Sequence, residues 1–295
     1  MRLAHFSDIH VTHFPLAGQF ALKRLLAVGS YTVARRGAHF AGSDERIAAL
    51  LADVDGQQVD HAICTGDVTG VSTEAEFAQV AAVFGPERLR QPLRFTVIPG
   101  NHDRYVASAA GGFEKHFGAL CNGGRFPLVK ELPGEVTLVC VDAALPTNLI
   151  DSSGLIGPDQ RAKLTAILTD ASLRSKFVVL GFHYGLLRMN GQRDGRNHGL
   201  RDDTEMLELI DRPEVNLDLV IHGHLHRPFR IRTQRRTIVN AGSATDLHVN
   251  GAGYNVYDID IATRRLRITR RAWQAETNTF RDDPQSPVVA ELTTR

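Results

Sequence analysis

Arg2-Leu3-Ala4-His5-Phe6-Ser7-Asp8-Ile9-His10 opens the chain with a short β-type run that breaks off into a carboxylate and an imidazole two residues apart. The same figure recurs down the chain. His61–Cys64 leads into Thr65-Gly66-Asp67, and Arg94–Ile98 into Pro99-Gly100-Asn101-His102-Asp103. Phe177–Gly181 leads into Phe182-His183-Tyr184, and Leu217–Ile221 into His222-Gly223-His224-Leu225-His226. Apolar strands that end in polar residues are the pattern of an α/β fold, where chemistry gathers beyond the carboxyl ends of the strands.

Helical spacing fills the intervals. Asp44–Val54 has Ile47, Leu50, Leu51 and Val54 on one side. Thr73 with Glu76 fits a capping box and predicts a helix to Val83. Gly157-Pro158-Asp159 opens another helix through Leu164, Ile167 and Leu168, with proline in its first turn. After Arg227 the texture changes to strands, at Phe229–Arg232, Thr237–Val239, Tyr254–Ile261 and Leu266–Arg271. The alternation followed by a strand-rich end predicts one domain with mixed sheets over residues 1–275. The polar, proline-containing stretch from Thr277, within residues 276–295, is expected to be a poorly ordered tail.

Composition narrows the class. With 295 residues the chain can bury a substantial core. Its 34 Lys and Arg against 33 Asp and Glu give no overall electrostatic case for nucleic acid. Cys64, Cys121 and Cys140 form no paired motif, which argues against a disulfide framework or a thiolate zinc site. Cys64 and Cys140 stand in apolar strand-like runs and read as buried core thiols. No stretch is apolar for long enough to span a bilayer, and the first motif begins at Asp8, before any signal peptide would end. The expected location is the cytoplasm.

Histidine carries the chemistry. Several of the 13 stand beside Asp, Asn and Gly at strand ends, and imidazole nitrogens with carboxylate and amide oxygens suit Mn, Fe, Zn or Co. In Asp8-Ile9-His10, alternate residues of an extended segment point the same way and could grip one ion; the same reading serves His224-Leu225-His226. Gly66, Gly100 and Gly223 each precede a candidate ligand and let the backbone turn sharply or approach an ion or phosphate. Asn101 offers a hard oxygen that adds no charge. Taken singly, these fragments are common; their order along the chain is the informative feature.

That order, DxH, GD, GNHD, a strand-end His and GHxH, resembles the calcineurin-like metallophosphoesterase superfamily from Asp8 to His226. The resemblance implies a four-layer αββα sandwich, two mixed β-sheets packed together and flanked by helices. It implies two divalent or trivalent metal ions, Mn2+, Fe2+/Fe3+ or Zn2+. Asp8, His10, Asp67 and His226 would hold the first, and Asp67 would bridge to a second held by Asn101, His183 and His224. His102 would bind no metal and would face the substrate as the catalytic residue. The phosphoprotein phosphatase branch continues its Gly-Asp motif with Asp-Arg-Gly; Gly66-Asp67-Val68-Thr69-Gly70 does not. The motif set looks closer to the branch of cyclic-nucleotide phosphodiesterases, glycerophosphodiesterases and lipid A pathway pyrophosphatases.

Two metals roughly 3.5–4 Å apart can share a hydroxide and clamp phosphoryl oxygens, with a protonated His102 stabilising the leaving oxygen. Asp103 or His222 would orient His102 or a metal ligand from behind. The expected substrate is a small phosphodiester or pyrophosphate: a cyclic nucleotide, a glycerophosphodiester or a UDP-linked lipid precursor. The alternatives are a DNA-repair-type nuclease, which also begins Ser-Asp-x-His, and a non-catalytic interaction scaffold of the same fold. The near-neutral charge argues against the first, and the complete ligand set against the second. Specificity is assigned to loops at Ala107–Arg125, Leu145–Gly157 and Leu186–Arg201 and to the Phe14–Phe40 segment. In that segment Leu22, Leu25, Leu26 and Val33 share a helical face while Lys23, Arg24, Arg35 and Arg36 are basic. It reads as a surface helix packed on the core, as a cap over the site at about residues 14–40, or as a peripheral contact with the inner face of the membrane.

Overall fold

Strand β1 (Arg2–Phe6) is flanked on both sides, and its residues from Leu3 on are buried. It pairs parallel with β2 (His61–Cys64), which pairs parallel with β3 (Phe95–Val97). On its other edge it runs antiparallel to β10 (Gly253–Asp260), and β11 (Arg265–Gln274) and β12 (Thr279–Asp282) follow antiparallel in turn. The backbone of β13 (Val288–Glu291) also pairs with β11. The computed structural model describes residues 1–12, 42–148, 151–248, 251–263, 265–284 and 288–291.

The second sheet has β4 (Leu128–Leu132) antiparallel to β5 (Val136–Cys140), then β6 (Phe177–Gly181), β7 (Leu219–His222) and β9 (Thr237–Asn240), all parallel to β5, and β8 (Phe229–Arg232) antiparallel at the edge. Both sheets are mixed.

Alternation along the second sheet sets the layers. Phe177 and Val179 of β6 and Leu219 and Ile221 of β7 join the core shared with the first sheet. Val178, Leu180 and Val220 join a separate cluster with Leu164 and Leu168 of α4 (Pro158–Leu168) and Met206, Leu209 and Ile210 of α5 (Asp203–Ile210). The first core also takes Ile47, Leu50 and Leu51 of α1 (Ser43–Gly56), Phe77, Val80 and Phe84 of α2 (Glu74–Leu89), and Phe113 and Phe117 of α3 (Gly112–Phe117). The result is the four-layer sandwich expected: helices, sheet, sheet, helices. Phe84 shows how tightly α2 is fixed. Its ring centroid lies 6.3 Å from Phe6, 5.2 Å from Phe95 and 5.9 Å from Phe117, and truncating such a side chain to alanine costs about 3–5 kcal/mol.

The capping box is present, Thr73 accepting from Glu76 N and Glu76 accepting from Thr73 N. The helix runs past Val83 to Leu89, bending at Gly85, whose φ of 79° is not helical, before Pro86. The strands expected after Arg227 divide between the sheets: β8 and β9 complete the second, β10 and β11 the first. Two strands, β12 and β13, lie within the stretch expected to be a poorly ordered tail, and residues 285–287 and 292–295 of it lie outside the described residues. Phe280 of β12 is buried against Trp273 and Tyr254, so one aromatic holds a polar segment to the sheet. Cys64 and Cys140 are buried thiols as expected, and so is Cys121. The cap or membrane-contact segment at 14–40 lies outside the described residues, as does part of the Leu145–Gly157 loop. Among the described residues no helix is long and apolar enough to cross a membrane.

Candidate metal centre

The parallel strands of both sheets end at one rim, and every predicted site residue follows one of them. Asp8 and His10 follow β1, Asp67 follows β2, Asn101 and His102 follow β3, His183 follows β6, and His224 and His226 follow β7. All seven candidate ligands are buried or nearly so. Two clusters result, Asp8 with His10 and His226, and Asp67 with His183 and His224. Within each, the potential ligand atoms lie within 4.8 Å of one another.

The local backbone differs from the extended geometry read from the sequence. Asp8 (φ 56°), His10 (φ 44°), Asp67 (φ 54°), His224 (φ 70°) and His226 (φ 52°) are all left-handed. Non-glycine residues pay for that conformation, and such strain concentrates at functional sites. His224 and His226 consequently part company. His226 Nε2 faces His10 Nε2 at 2.9 Å and Asp8 Oδ1 at 3.4 Å, whereas His224 Nδ1 faces Asn101 Oδ1 at 2.9 Å. The one-ion reading of His224-Leu225-His226 is therefore corrected: each imidazole joins a different cluster. Crowding explains the glycine at 223, since a Cβ there would overlap Ser7 Oγ and Asp8 Oδ2. At 66, where φ is 104°, it would come within 2.6 Å of Gly100 N and 2.9 Å of His183 Nδ1.

Asp67 joins the two clusters. Its Oδ2 is 3.3 Å from His183 Nε2 and 3.7 Å from His10 Nε2, while Oδ1 accepts the His102 backbone N–H at 2.7 Å. Burial opposes ionisation of Asp67, but attraction from His183 and His102 outweighs it and holds the carboxyl well below the usual range. Burial likewise opposes charge on His183, which the Asp67 carboxylate nonetheless raises to about 9. His226 is raised to about 10 against burial by hydrogen bonds to Asp246 and Asp8. His10 goes the other way, to about 3, through burial and repulsion from His102. Burial and His183 push His224 well below the ordinary imidazole value.

The imidazoles are aimed from behind. His183 Nδ1 bonds to the Thr65 carbonyl at 2.8 Å, His224 Nε2 to the His198 carbonyl at 2.8 Å, and His226 Nδ1 to Asp246 Oδ2 at 3.2 Å. His102 stands beside the first cluster with its ring edge-on to His10, centroids 4.7 Å apart, and it stacks on Tyr105 at 5.3 Å. One nitrogen of His102 is close enough to His10 and Asp67 to form a third potential group, but its Nδ1 is turned to the Gly70 carbonyl.

The orienting roles given to Asp103 and His222 are corrected. Asp103 accepts from the backbone N–H groups of Gly100, Thr69 and Val68 and from the Thr69 hydroxyl. It thus ties the loop carrying Asp67 to the loop carrying Asn101. His222 bonds to Gly223 O and Asn240 Nδ2. The orienting carboxylate is Asp246, in the loop after β9. There Ser243 Oγ and Thr245 Oγ1 donate to the carbonyls of Asp8 and Ile9 at 2.6 and 2.9 Å. The strand-end rule that located the other motifs applies to Asn240-Ala241-Gly242-Ser243 too, but no histidine marks it.

The family model of the calcineurin-like phosphoesterases matches residues 1–228. The chain belongs to this family. No curated protein matches it in sequence. Among solved structures this calcineurin-like phosphoesterase is similar to a dimetal phosphatase from Danio rerio (TM-score 0.69, 11% identity, 99% of each chain covered). It is similar to a purple acid phosphatase from yellow lupin seeds (TM-score 0.56, 13% identity), covering 95% of this chain and 52% of that one. It is also similar to GAP50, the anchor in the inner membrane complex of Plasmodium (TM-score 0.55, 11% identity), covering 99% of this chain and 89% of that one. At these identities the likeness establishes the fold of the phosphoesterase and no more.

Proposed function

We propose that the chain is a metal-dependent phosphoester hydrolase with a binuclear centre, acting on a small phosphodiester or pyrophosphate. The observation that carries this reading is the Asp67 carboxylate shared between two clusters of nitrogen and oxygen donors. Asp8, His10, Asp67 and His226 would hold one ion, and Asp67, Asn101, His183 and His224 the other. The donor set fits such ions. With His224 neutral and its Nε2–H donated to His198 O, the lone pair on Nδ1 faces the Asn101 Oδ1 lone pairs at 2.9 Å. In this arrangement the two lone-pair donors are placed to share a cation. The dimetal phosphatase and purple acid phosphatase among the structural relatives support the reading by their names.

Bound ions would polarise a phosphoryl oxygen and lower the pKa of water. The chain's own part begins with His102. Its Nδ1–H is donated to the Gly70 carbonyl, so Nε2 is left for the substrate and, when protonated, donates to the leaving oxygen. Asp67 fixes the same residue through the His102 backbone N–H. Mn2+ is the expected ion over Mg2+, because four histidines in the donor set favour a softer metal. The phosphodiesterase or pyrophosphatase branch rests on the missing Asp-Arg-Gly continuation after Asp67. Peripheral contact at the inner membrane face rests on the sequence of the 14–40 segment. The test is hydrolysis of bis(p-nitrophenyl) phosphate. Chelation should abolish it and Mn2+ should restore it better than Mg2+. Activity indifferent to chelation would overturn the reading.

A further inference from the structure

The loop between β6 and α5 brings a second carboxylate–imidazole pair to the rim of the site. His198 Nδ1 bonds to Asp194 Oδ2 at 2.7 Å. Asp194 is gripped in turn: its Oδ1 accepts from Gly195 N at 2.7 Å and from Arg188 Nε at 2.8 Å. Its side chain is only 3% exposed, against 48% for His198. The His198 ring lies against His224, centroids 4.2 Å apart and planes tilted by 36°, and the His198 carbonyl accepts from His224 Nε2. The loop is pinned to the body, Ser152 N bonding to Asn197 O at 2.8 Å and Gly154 N to Gly199 O at 3.1 Å.

With Nδ1–H donated to Asp194, His198 Nε2 has no hydrogen-bond partner among the described residues, and the side chain is half-exposed with its ring against His224. An immobilised carboxylate holding the far nitrogen of an imidazole fixes its tautomer and direction. The same bracing holds the ring against His224, so the His198 side chain is fixed at the edge of the second cluster. His102 lies on the His10 side of the centre and His198 on the His224 side.

We propose that His198, braced by Asp194, is a substrate-contacting residue whose Nε2, when it carries a proton, donates to an anionic oxygen of the phosphoester on the His224 side of the centre. The proposal rests on the reading of the site as a metal-dependent phosphoester hydrolase. It makes the Leu186–Arg201 loop part of the binding site through two particular residues, with Asp194 as a positioning residue.

The test is calorimetric binding of inorganic phosphate to the full-length, Mn2+-loaded protein, with metal content measured on the same samples. His198→Ala should weaken phosphate binding about tenfold or more, the loss typical of one hydrogen bond to a charged group. It should keep wild-type metal content, because the backbone carbonyl to His224 remains. Asp194→Asn should weaken binding in the same direction but less. On ester substrates His198→Ala should raise KM more than it lowers kcat. Unchanged phosphate affinity in His198→Ala overturns the proposal, and so does loss of metal, which would give the ring a purely structural role. If the wild type takes up two metals and hydrolyses bis(p-nitrophenyl) phosphate while His198→Ala binds phosphate normally, only the His198 assignment fails. If the wild type holds no metal pair, the underlying reading fails with it.

Discussion

Asp67 Oδ2 lies 3.3 Å from His183 Nε2, and both groups are fully buried. The carboxylate raises the imidazole to about 9 against burial, so in the metal-free protein the pair favours a protonated imidazole, with which a cation bound there would compete. The same holds for His226, at about 10, between Asp8 and Asp246. Metal binding by these two imidazoles would displace both protons.

The sign follows from linkage. A histidine raised in the folded state stabilises it fully below the ordinary imidazole value, about 6.5, and that stability is lost as pH rises through the folded value. For His183 and His226 the window runs from there to about 9 and about 10. Lys130, lowered to about 8 by burial, works in the opposite sense above that pH. The melting temperature of the chelator-treated protein should therefore fall from pH 7 to pH 9, and Mn2+ should remove most of the decline. A flat or rising profile without metal would contradict the proton-for-metal account.

His102→Ala should keep both metals and lose roughly 10²–10⁴ in turnover, the usual worth of a general acid. The loss should shrink on p-nitrophenolate esters, whose leaving group needs little protonation. Steady-state rates on paired good and poor leaving groups decide it: equal losses on both would leave His102 only a role in stabilising charge.

Asp246 makes no contact that composition or spacing would reveal, yet it bonds to His226 Nδ1 at 3.2 Å and helps raise that imidazole. Removing an orienting carboxylate behind a ligand typically costs 10–100-fold in metal affinity. Asp246→Ala should lose metal by about that factor, measured by competition with a chromogenic chelator, and activity should return at high Mn2+. Wild-type affinity in the variant would show that the backbone alone aims His226.

The basic residues Lys23, Arg24, Arg35 and Arg36 carry the membrane reading, at about 1 kcal/mol each near an anionic surface. Anionic vesicles should sediment the wild type at low salt only, and a variant with all four changed to Gln should stay in solution. Wild type that remains in the supernatant at low salt rules the contact out. If the quadruple variant cleaves small esters normally but large ones poorly, the segment is a cap.

The sequence made the site more legible than the fold around it. Each ligand motif follows an apolar run, so Asp8, Asp67, Asn101, His183 and His224 were readable as strand-end residues before their strands could be ordered into sheets. What escaped was tertiary. Five left-handed site residues replace the extended geometry that alternation implied, because buried ligands crowd the rim and the backbone yields. Asp246 and the Asp194–His198 pair reach the site through loops whose positions depend on β9 and on Ser152 and Gly154. The strands at β4, β12 and β13 are short, partly polar or at sheet edges, where hydrophobic periodicity is weakest.

The central claim is that Asp67 joins two metal sites into one hydrolytic centre. The most direct test titrates Mn2+ into the metal-stripped protein while following hydrolysis of bis(p-nitrophenyl) phosphate and bound metal together. The account predicts turnover that reaches its plateau only near two equivalents, with Asp67→Ala inactive at any Mn2+ concentration. Full activity at a single equivalent, or an Asp67→Ala variant that hydrolyses like the wild type, would contradict it.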